Sequence, residues 1–129
     1  MTYDNFTLKA QEAILKAQNI AGGYDQQNVD TTHLMKGIIE IDEDLTKFLL
    51  QKMGVNISLL KEKLIKAIKS YPRVEGAQKQ YLTKDANLAL SRAKKLLPEF
   101  GDEFISLELI ILGIVQGKDK ASNILHSYF

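Results

Sequence analysis

The 129-residue sequence predicts an all-α domain, and three of its features support that prediction. Only two prolines interrupt a chain that is rich in residues favouring helices. Apolar residues recur at spacings of three and four, the period of a helix with one buried face. The apolar pattern of the first half also returns 76 residues later. We therefore expect a duplicated three-helix repeat joined by a linker helix, with no β-strands.

The first half of the chain contains three helical patterns. The first begins after Thr7, a favourable N-cap, and ends at the glycine pair Gly22–Gly23. The second follows Asp30, whose carboxylate can cap the free amides of the next turn. The third covers residues 44–53. Its predicted inward side chains are Leu45, Phe48 and Leu49.

The middle of the chain combines a helix with a connector. The helix covers Ile57–Lys69, and one apolar stripe along it faces inward. The members of that stripe are Leu60, Leu64 and Ile68. Residues 71–80 contain Pro72 and Gly76 and show no apolar period, so we expect an irregular connector that packs against the body.

The second half repeats the plan of the first. Thr83 is the predicted N-cap of a helix that Pro98 and Gly101 close. Ser106 is the predicted N-cap of the next helix, over Leu107–Val115. A last helix carries Ala121, Ile124 and Leu125.

Placing each residue i on residue i+76 aligns the two halves without a gap. Thr7 then falls on Thr83 and Gly37 on Gly113, and apolar positions coincide over more than forty residues. Each half is too small to bury its own apolar face, so we expect both to pack about a pseudo-twofold axis. The chain is thus predicted to form one domain over residues 1–129. Its parts are repeat one (6–53), a linker (54–80) and repeat two (81–128).

Composition argues against several classes of partner and site. Seventeen basic and sixteen acidic residues leave a net charge of +1, which gives no reason to expect nucleic acid or an anionic membrane as partner. No apolar run reaches the ~20 residues of a membrane span, and no signal peptide is evident. The absence of cysteine excludes thiolate metal sites and cysteine nucleophiles and fits a reducing compartment, so a cytoplasmic location is expected.

The residues offer little for catalysis or metal binding. The segment Gly113–Asp119 is one residue short of a phosphate-binding P-loop and has aspartate where a P-loop needs serine or threonine. The histidines, His33 and His126, have none of the spacings of known metal motifs. Because His33 falls on Leu109 in the overlay, we predict a packed, hydrogen-bonded histidine. The sequence therefore predicts no metal or cofactor in this domain, and no enzyme.

Four segments carry a family resemblance: Phe6–Ile14, Thr32–Met35, Tyr71–Gly76 and Gly101–Leu109. Together they closely resemble the N-terminal domain of the Clp/Hsp100 family, and the likeness covers essentially the whole chain with its repeat. The Pro-x-Val-x-Gly pattern of the connector is more similar to the ClpB disaggregase chaperones than to the protease-coupled relatives ClpA and ClpC.

The resemblance implies a domain tethered to AAA+ ATPase modules that form a homohexamer and thread aggregated polypeptide through a pore. In that family the N-terminal domain helps to recognise unfolded or aggregated polypeptides, while ATP and magnesium belong to the ATPase modules of the parent protein. No Walker motif occurs in these residues, so we expect no ATP hydrolysis by the chain alone. The isolated domain is expected to be a monomer.

The resemblance also implies five substrate-binding residues. Their positions in this sequence are Thr7, Leu96, Asp102, Glu108 and Leu109. Each has a structural interpretation as well: an N-cap for Thr7, a turn for Asp102, a favourable helix dipole for Glu108, and core packing for the leucines. Arg92 stands where at least one relative has leucine, which limits the apolar extent of the expected groove.

These expectations lead to one hypothesis and two alternatives. The hypothesis is weak, sequence-tolerant binding of exposed apolar segments in a shallow groove between the repeats, with the polar residues at its rim. One alternative is docking of a folded adaptor protein, as in ClpA and ClpC. The other is an architectural role, in which the domain gates the ring without touching substrate.

Overall fold

The computed structural model describes residues 3–76 and 79–128. These residues form eight helices and two short strands, joined by loops. In chain order they are α1 (Leu8–Gly23), β1 (Asn28–Val29), α2 (Thr31–Ile41), α3 (Glu43–Lys52), α4 (Ile57–Lys69), β2 (Tyr81–Leu82), α5 (Lys84–Lys95), α6 (Leu97–Phe100), α7 (Leu107–Val115) and α8 (Lys120–His126). The predicted all-α class and the predicted linker helix are confirmed.

Side-chain caps begin the equivalent helices of the two halves. Thr7 Oγ1 accepts a hydrogen bond from the amide of Ala10 at 3.1 Å, and Thr83 Oγ1 accepts one from Ala86 at the same distance. Ser106 Oγ accepts from the amide of Leu109 at 3.3 Å. These three predicted N-caps are therefore confirmed, and each satisfies an amide that the helix itself leaves unpaired.

Two local predictions are wrong. Phe48 is 57% exposed, because α3 turns Thr46 and Leu50 inward instead. Pro98 does not close the preceding helix. It lies in the first turn of the short helix α6, where its missing amide hydrogen costs no hydrogen bond.

The predicted absence of strands is also wrong, and the strands show how the halves are joined. Val29 pairs with Leu82 in a parallel two-strand ladder, and Phe6 forms a parallel bridge with Ile105. The overlay carries Val29 onto Ile105 and Leu82 onto Phe6, so the pairings are exchanged by the pseudo-twofold axis. Strands of two residues show no alternation, so periodicity could not reveal them.

A glycine in each half lets two helices approach closely. A Cβ on Gly37 would lie 2.6 Å from Ala13 O, and a Cβ on Gly113 would lie 2.4 Å from Ala89 O. The overlay carries the first pair of residues onto the second. Both halves therefore use the same crossing of helix backbones, α2 on α1 and α7 on α5, which only glycine allows.

The apolar core is continuous between the halves. It contains the alanine faces of α1 and α5 and the branched side chains of α2 and α7. Helix α4 closes it with Leu60, Leu64 and Ile68, as predicted, and packs against α2 and α3 of the first half and α8 of the second.

His33 is fully buried and hydrogen-bonded, as predicted. Its Nδ1 accepts from the amide of Asp30 at 2.9 Å, so its Nε2 carries the proton and donates to Gln26 Oε1 at 2.7 Å. Gln26 Nε2 donates in turn to Ile68 O at 2.6 Å. Burial lowers the pKa of His33 from 6.5 to about 4, against the smaller opposite effect of the Asp30 charge. A second proton would also place an N–H against the amide N–H of Asp30.

Replacing Gly113 with alanine should destabilise the fold. The added methyl would contact backbone atoms of Ala89 and Ala93, which cannot move aside as a flexible side chain can. We expect Gly113→Ala to lower the free energy of unfolding by about 1–3 kcal/mol in urea titrations, despite the better helix propensity of alanine. Gly23→Ala is the control, because a Cβ there meets nothing within 4 Å. Equal stability of the two variants would contradict the close helix crossing.

Acid should destabilise the protein through His33. The pKa of His33 is about 4 when folded and 6.5 ordinarily, so the unfolded chain binds the proton more tightly. Stability from this residue is complete above pH 6.5 and falls as the pH drops towards 4, by about 3 kcal/mol in total. Urea titrations from pH 7 to 4 measure the loss. His126→Gln should keep this slope and His33→Gln should reduce it; an unchanged slope in His33→Gln would contradict the assignment.

Candidate functional site

The pseudo-twofold axis relates two surface regions. In one region the start of α5 meets the start of α2, and in the other the start of α1 meets the start of α7. We call them the connector junction and the open junction. The connector junction consists of Gln26, Asp30, Thr32, His33 and Thr83. Its images 76 residues away form the open junction, which consists of Asp102, Ser106, Glu108, Leu109 and Thr7.

The connector junction is covered by the chain's own connector. The hydroxyl of Tyr71 lies 2.8 Å from Thr32 Oγ1 and donates to Asp30 Oδ2 at 3.3 Å. Thr83 Oγ1 donates to Asp30 Oδ1 at 3.0 Å. The ring of Tyr71 lies 5.6 Å from that of His33, centroid to centroid. Burial is the main cause that raises the pKa of Tyr71 to about 12, so this hydroxyl stays protonated and can donate.

Two further contacts hold the connector beyond Tyr71. The amide of Val74 donates to Asp25 O at 2.7 Å, and the guanidinium of Arg73 lies 5.7 Å from the ring centroid of Tyr24. The connector is thus fixed by an aromatic hydroxyl, a backbone amide and a cation over a ring.

Polar residues of the open junction are exposed where their images are buried. Gln26 is 1% and Thr32 0% exposed, whereas their images Asp102 and Glu108 are exposed. Phe100, the image of Tyr24, is 56% exposed. The open junction therefore has the same backbone arrangement as the connector junction, but no segment equivalent to the connector covers it among the described residues.

A shallow pocket of ≈ 400 Å³ lies at the open junction and brings Thr7 and Glu108 together. Its lining residues are Thr7, Leu8, Lys9, Leu45, Ser106, Leu107 and Glu108. Lys9 is held by Asp42, with 2.8 Å between Nζ and Oδ2. That hydrogen bond raises the pKa of Lys9 and lowers the pKa of Asp42, so both stay charged at neutral pH. The carboxylate of Glu108 is left without a salt bridge among the described residues.

Asp102 lies on the same junction but outside this pocket. It follows Gly101, whose φ of +65° ends α6 in the left-handed conformation. The side chain of Asp102 is exposed. The structure thus brings together two of the three predicted polar residues and places the third on the neighbouring turn.

The two predicted groove leucines do not line the surface. Leu109 is 2% and Leu96 8% exposed, and both belong to the apolar core. Leu109 is the image of buried His33 and points inward for the same reason, since both occupy the first turn of the second helix of their repeat.

Arg92 does not obstruct the open junction. Its Nε donates to Gly113 O at 2.7 Å, and its Nη2 lies 3.8 Å from Asp119 Oδ2. The guanidinium is therefore held between α7 and the start of α8. Arg92 thus lies apart from the residues that line the pocket at the open junction.

Sequence reasoning missed the exposed leucines of α1. Leu8 is 76% and Leu15 56% exposed, and both line a second shallow pocket of ≈ 380 Å³ that adjoins the first through Leu8. The overlay contains a signal for them: their images are Lys84 and Ser91. Most core positions are apolar in both repeats, whereas these two are apolar in one repeat only.

Metal and membrane sites were searched over the described residues. Within 3–76 and 79–128, no group of three or more histidine, aspartate or glutamate side chains could hold a metal ion. None of the helices in those ranges combines the length and apolar character needed to cross a membrane.

Known proteins resemble this chain in sequence and in fold. The profile of the Clp repeat (R) N-terminal domain matches residues 5–128. The chaperone protein ClpB of Bacteroides thetaiotaomicron is 37% identical over 125 residues, which cover 97% of this chain and 14% of that protein. The chain thus spans about one seventh of the length of this relative.

Solved structures share the fold at lower identity. The N-terminal domain of Hsp104 from Candida albicans superimposes with a TM-score of 0.83 at 15% identity, covering 97% of this chain and 82% of that one. The N-terminal domain of ClpD from Arabidopsis thaliana gives a TM-score of 0.75 at 21% identity, with coverage of 98% and 87%. The chain belongs to the Clp repeat N-terminal domain family.

Proposed function

We propose that this domain binds unfolded or aggregated polypeptide at the open junction, as the substrate-recognition part of a ClpB-type AAA+ chaperone. The observation that carries the proposal is that the connector covers one junction while the equivalent open junction is exposed. A surface that binds an extended segment of its own chain on one side has the backbone plan to bind another segment on the other.

The character of the open junction supports this role. Apolar contact is non-directional, and the neighbouring leucines Leu8 and Leu15 offer it without requiring one sequence. Thr7 and Glu108 add hydrogen-bonding groups at the rim. Asp102 belongs to the proposed contact set on the adjacent turn, whereas Leu96 and Leu109 are buried in the core.

Weak binding at one junction is consistent with this function. Shallow pockets bury little area, so we expect micromolar or weaker affinity for a single domain. In a homohexameric parent, six tethered domains would raise the effective concentration of binding sites around one aggregate. The proposal includes a cytoplasmic chaperone whose AAA+ modules supply ATP hydrolysis.

An NMR titration tests where polypeptide binds. Reduced and alkylated lysozyme, which stays unfolded, should shift the amide signals of Thr7, Leu8, Asp102 and Glu108 in a ¹⁵N-labelled domain. The connector junction, around Thr32, should be unaffected. Shifts confined to other surfaces would contradict the proposal, and an absence of binding would favour the architectural alternative. Binding of a folded adaptor but no unfolded chain would favour adaptor docking.

Neutralising Glu108 should weaken binding more than it weakens the fold. Glu108→Gln removes a carboxylate from the first turn of α7, at a cost to stability of about 0.3–1 kcal/mol. Asp85→Asn is the matched control, because Asp85 is an exposed acid in the first turn of α5, beside the connector junction. Both variants should lose similar stability in thermal unfolding. Only Glu108→Gln should weaken binding of unfolded lysozyme, by about threefold or more, and equal affinities would contradict the role of Glu108.

A comparison of the equivalent N-caps Thr7 and Thr83 distinguishes a binding role of Thr7 from its capping role. Thr7→Ala and Thr83→Ala each remove an N-cap, at a cost to stability of about 1 kcal/mol. Thr83→Ala should lose somewhat more stability, because its hydroxyl also donates to Asp30 Oδ1. If Thr7 also contacts substrate, Thr7→Ala alone should weaken binding in fluorescence anisotropy with labelled lysozyme. Identical binding by the two variants would assign Thr7 to capping only.

A further inference from the structure

We propose that the open junction selects extended segments in which an aromatic residue is followed two positions later by arginine or lysine. This inference deepens the proposed function and rests on it. Its template is the chain's own connector, in which Tyr71 and Arg73 have this spacing and Pro72 lies between them.

The connector shows how such a segment is held. Its aromatic hydroxyl reaches the side chains at the start of α2, its arginine lies over Tyr24, and the next amide binds Asp25 O. Pro72 disfavours a helical backbone at Tyr71, and residues 72–74 leave the end of α4 without helix or turn structure. One aromatic ring, one cation and one amide in sequence thus define the occupant.

The open junction repeats the features that receive these groups. Asp25 has a φ of +56° and its image Gly101 has a φ of +65°, so the backbone turns in the same left-handed way at both places. Among the described residues, no backbone amide outside the regular elements donates to Gly101 O. The ring of Phe100, the image of Tyr24, is available for a cation.

The open junction differs from its template in charge. Neutral Gln26, Gln27 and Thr32 are replaced in the overlay by acidic residues. These replacements are Asp102, Glu103 and Glu108, and all three are exposed. The carboxylate at the position of Thr32 accepts hydrogen bonds only, so it suits a donating hydroxyl or ammonium. Charge complementarity therefore favours a basic segment and disfavours an acidic one.

A synthetic copy of the connector tests this preference. The peptide has the sequence of residues 69–76, with three altered forms: Tyr71→Ala, Arg73→Glu, and a scrambled peptide of unchanged composition. We expect the copy to shift the amide signals of Thr7, Phe100, Gly101 and Glu108 in the ¹⁵N-labelled domain. Each altered peptide should bind at least fivefold more weakly. Equal binding by the scrambled peptide would overturn the inference, because net charge alone would then explain the affinity.

A double-mutant cycle locates the arginine contact. Phe100→Leu keeps an apolar side chain on exposed α6 and removes the aromatic ring, so the fold should be retained. If Arg73 of the peptide lies over this ring, Phe100→Leu should weaken binding of the copy but not of a peptide with Arg73→Gln. Leu88→Ala, which trims an exposed apolar side chain of α5, is the control and should change neither affinity. Additive effects of the two changes would overturn the assigned contact.

The outcomes distinguish this inference from the proposed function. If unfolded lysozyme shifts the open junction while the copy binds no better than its scrambled form, the preference is wrong and the proposed function stands. If neither binds there, both fail. If the free domain self-associates on concentration, with shifts at the open junction and at Tyr71, the occupant is the connector of a second copy and the inference is overturned.

Discussion

The fold depends on backbone hydrogen bonds that each half makes to the other. The residue before the first helix of each half pairs with the residue before the second helix of the other, through Phe6 with Ile105 and Val29 with Leu82. Thr7 N donates to Ile105 O at 2.9 Å and Thr83 N to Val29 O at 3.0 Å, so the same bond is made twice. Each half thus supplies the partners of the other's backbone groups, and the halves bury their apolar faces in one shared core.

The pairing of the two halves gives the molecule two equivalent surfaces. The linker covers one of them and leaves the other exposed. Helix α4 and the connector close one surface with a buried histidine, a glutamine and a tyrosine hydroxyl. The open junction has equivalent helix N-termini, and its carboxylates are exposed. The buried polar residues Gln26 and Thr32 on one side are thus replaced by the exposed acidic residues Asp102 and Glu108 on the other.

Much of this arrangement could be predicted from the sequence, and the failures have specific causes. Caps such as Thr83 follow from local chemistry and the overlay, so the sequence predicts them correctly. The overlay pairs Gly37 with Gly113 but does not indicate the close helix crossings that they allow. The strands are too short to have a period, and Phe48 was misplaced because an apolar residue on a short helix fits either face. Leu96 and Leu109 were assigned to a groove although the overlay with His33 already implied a buried position for Leu109. Burial depends on the partner helix, which spacing along one chain does not contain.

The bridge between Phe6 and Ile105 also constrains the order of folding. Residue 6 leaves the ribosome about a hundred residues before its partner, so the first helix begins without the strand contact that will fix its start. The start of α1 therefore lacks this bridge during most of synthesis, although α2 follows soon after in the chain and packs on the alanine face of α1. The bridge that joins the two halves at Phe6 can form only after the last third of the domain has been synthesised.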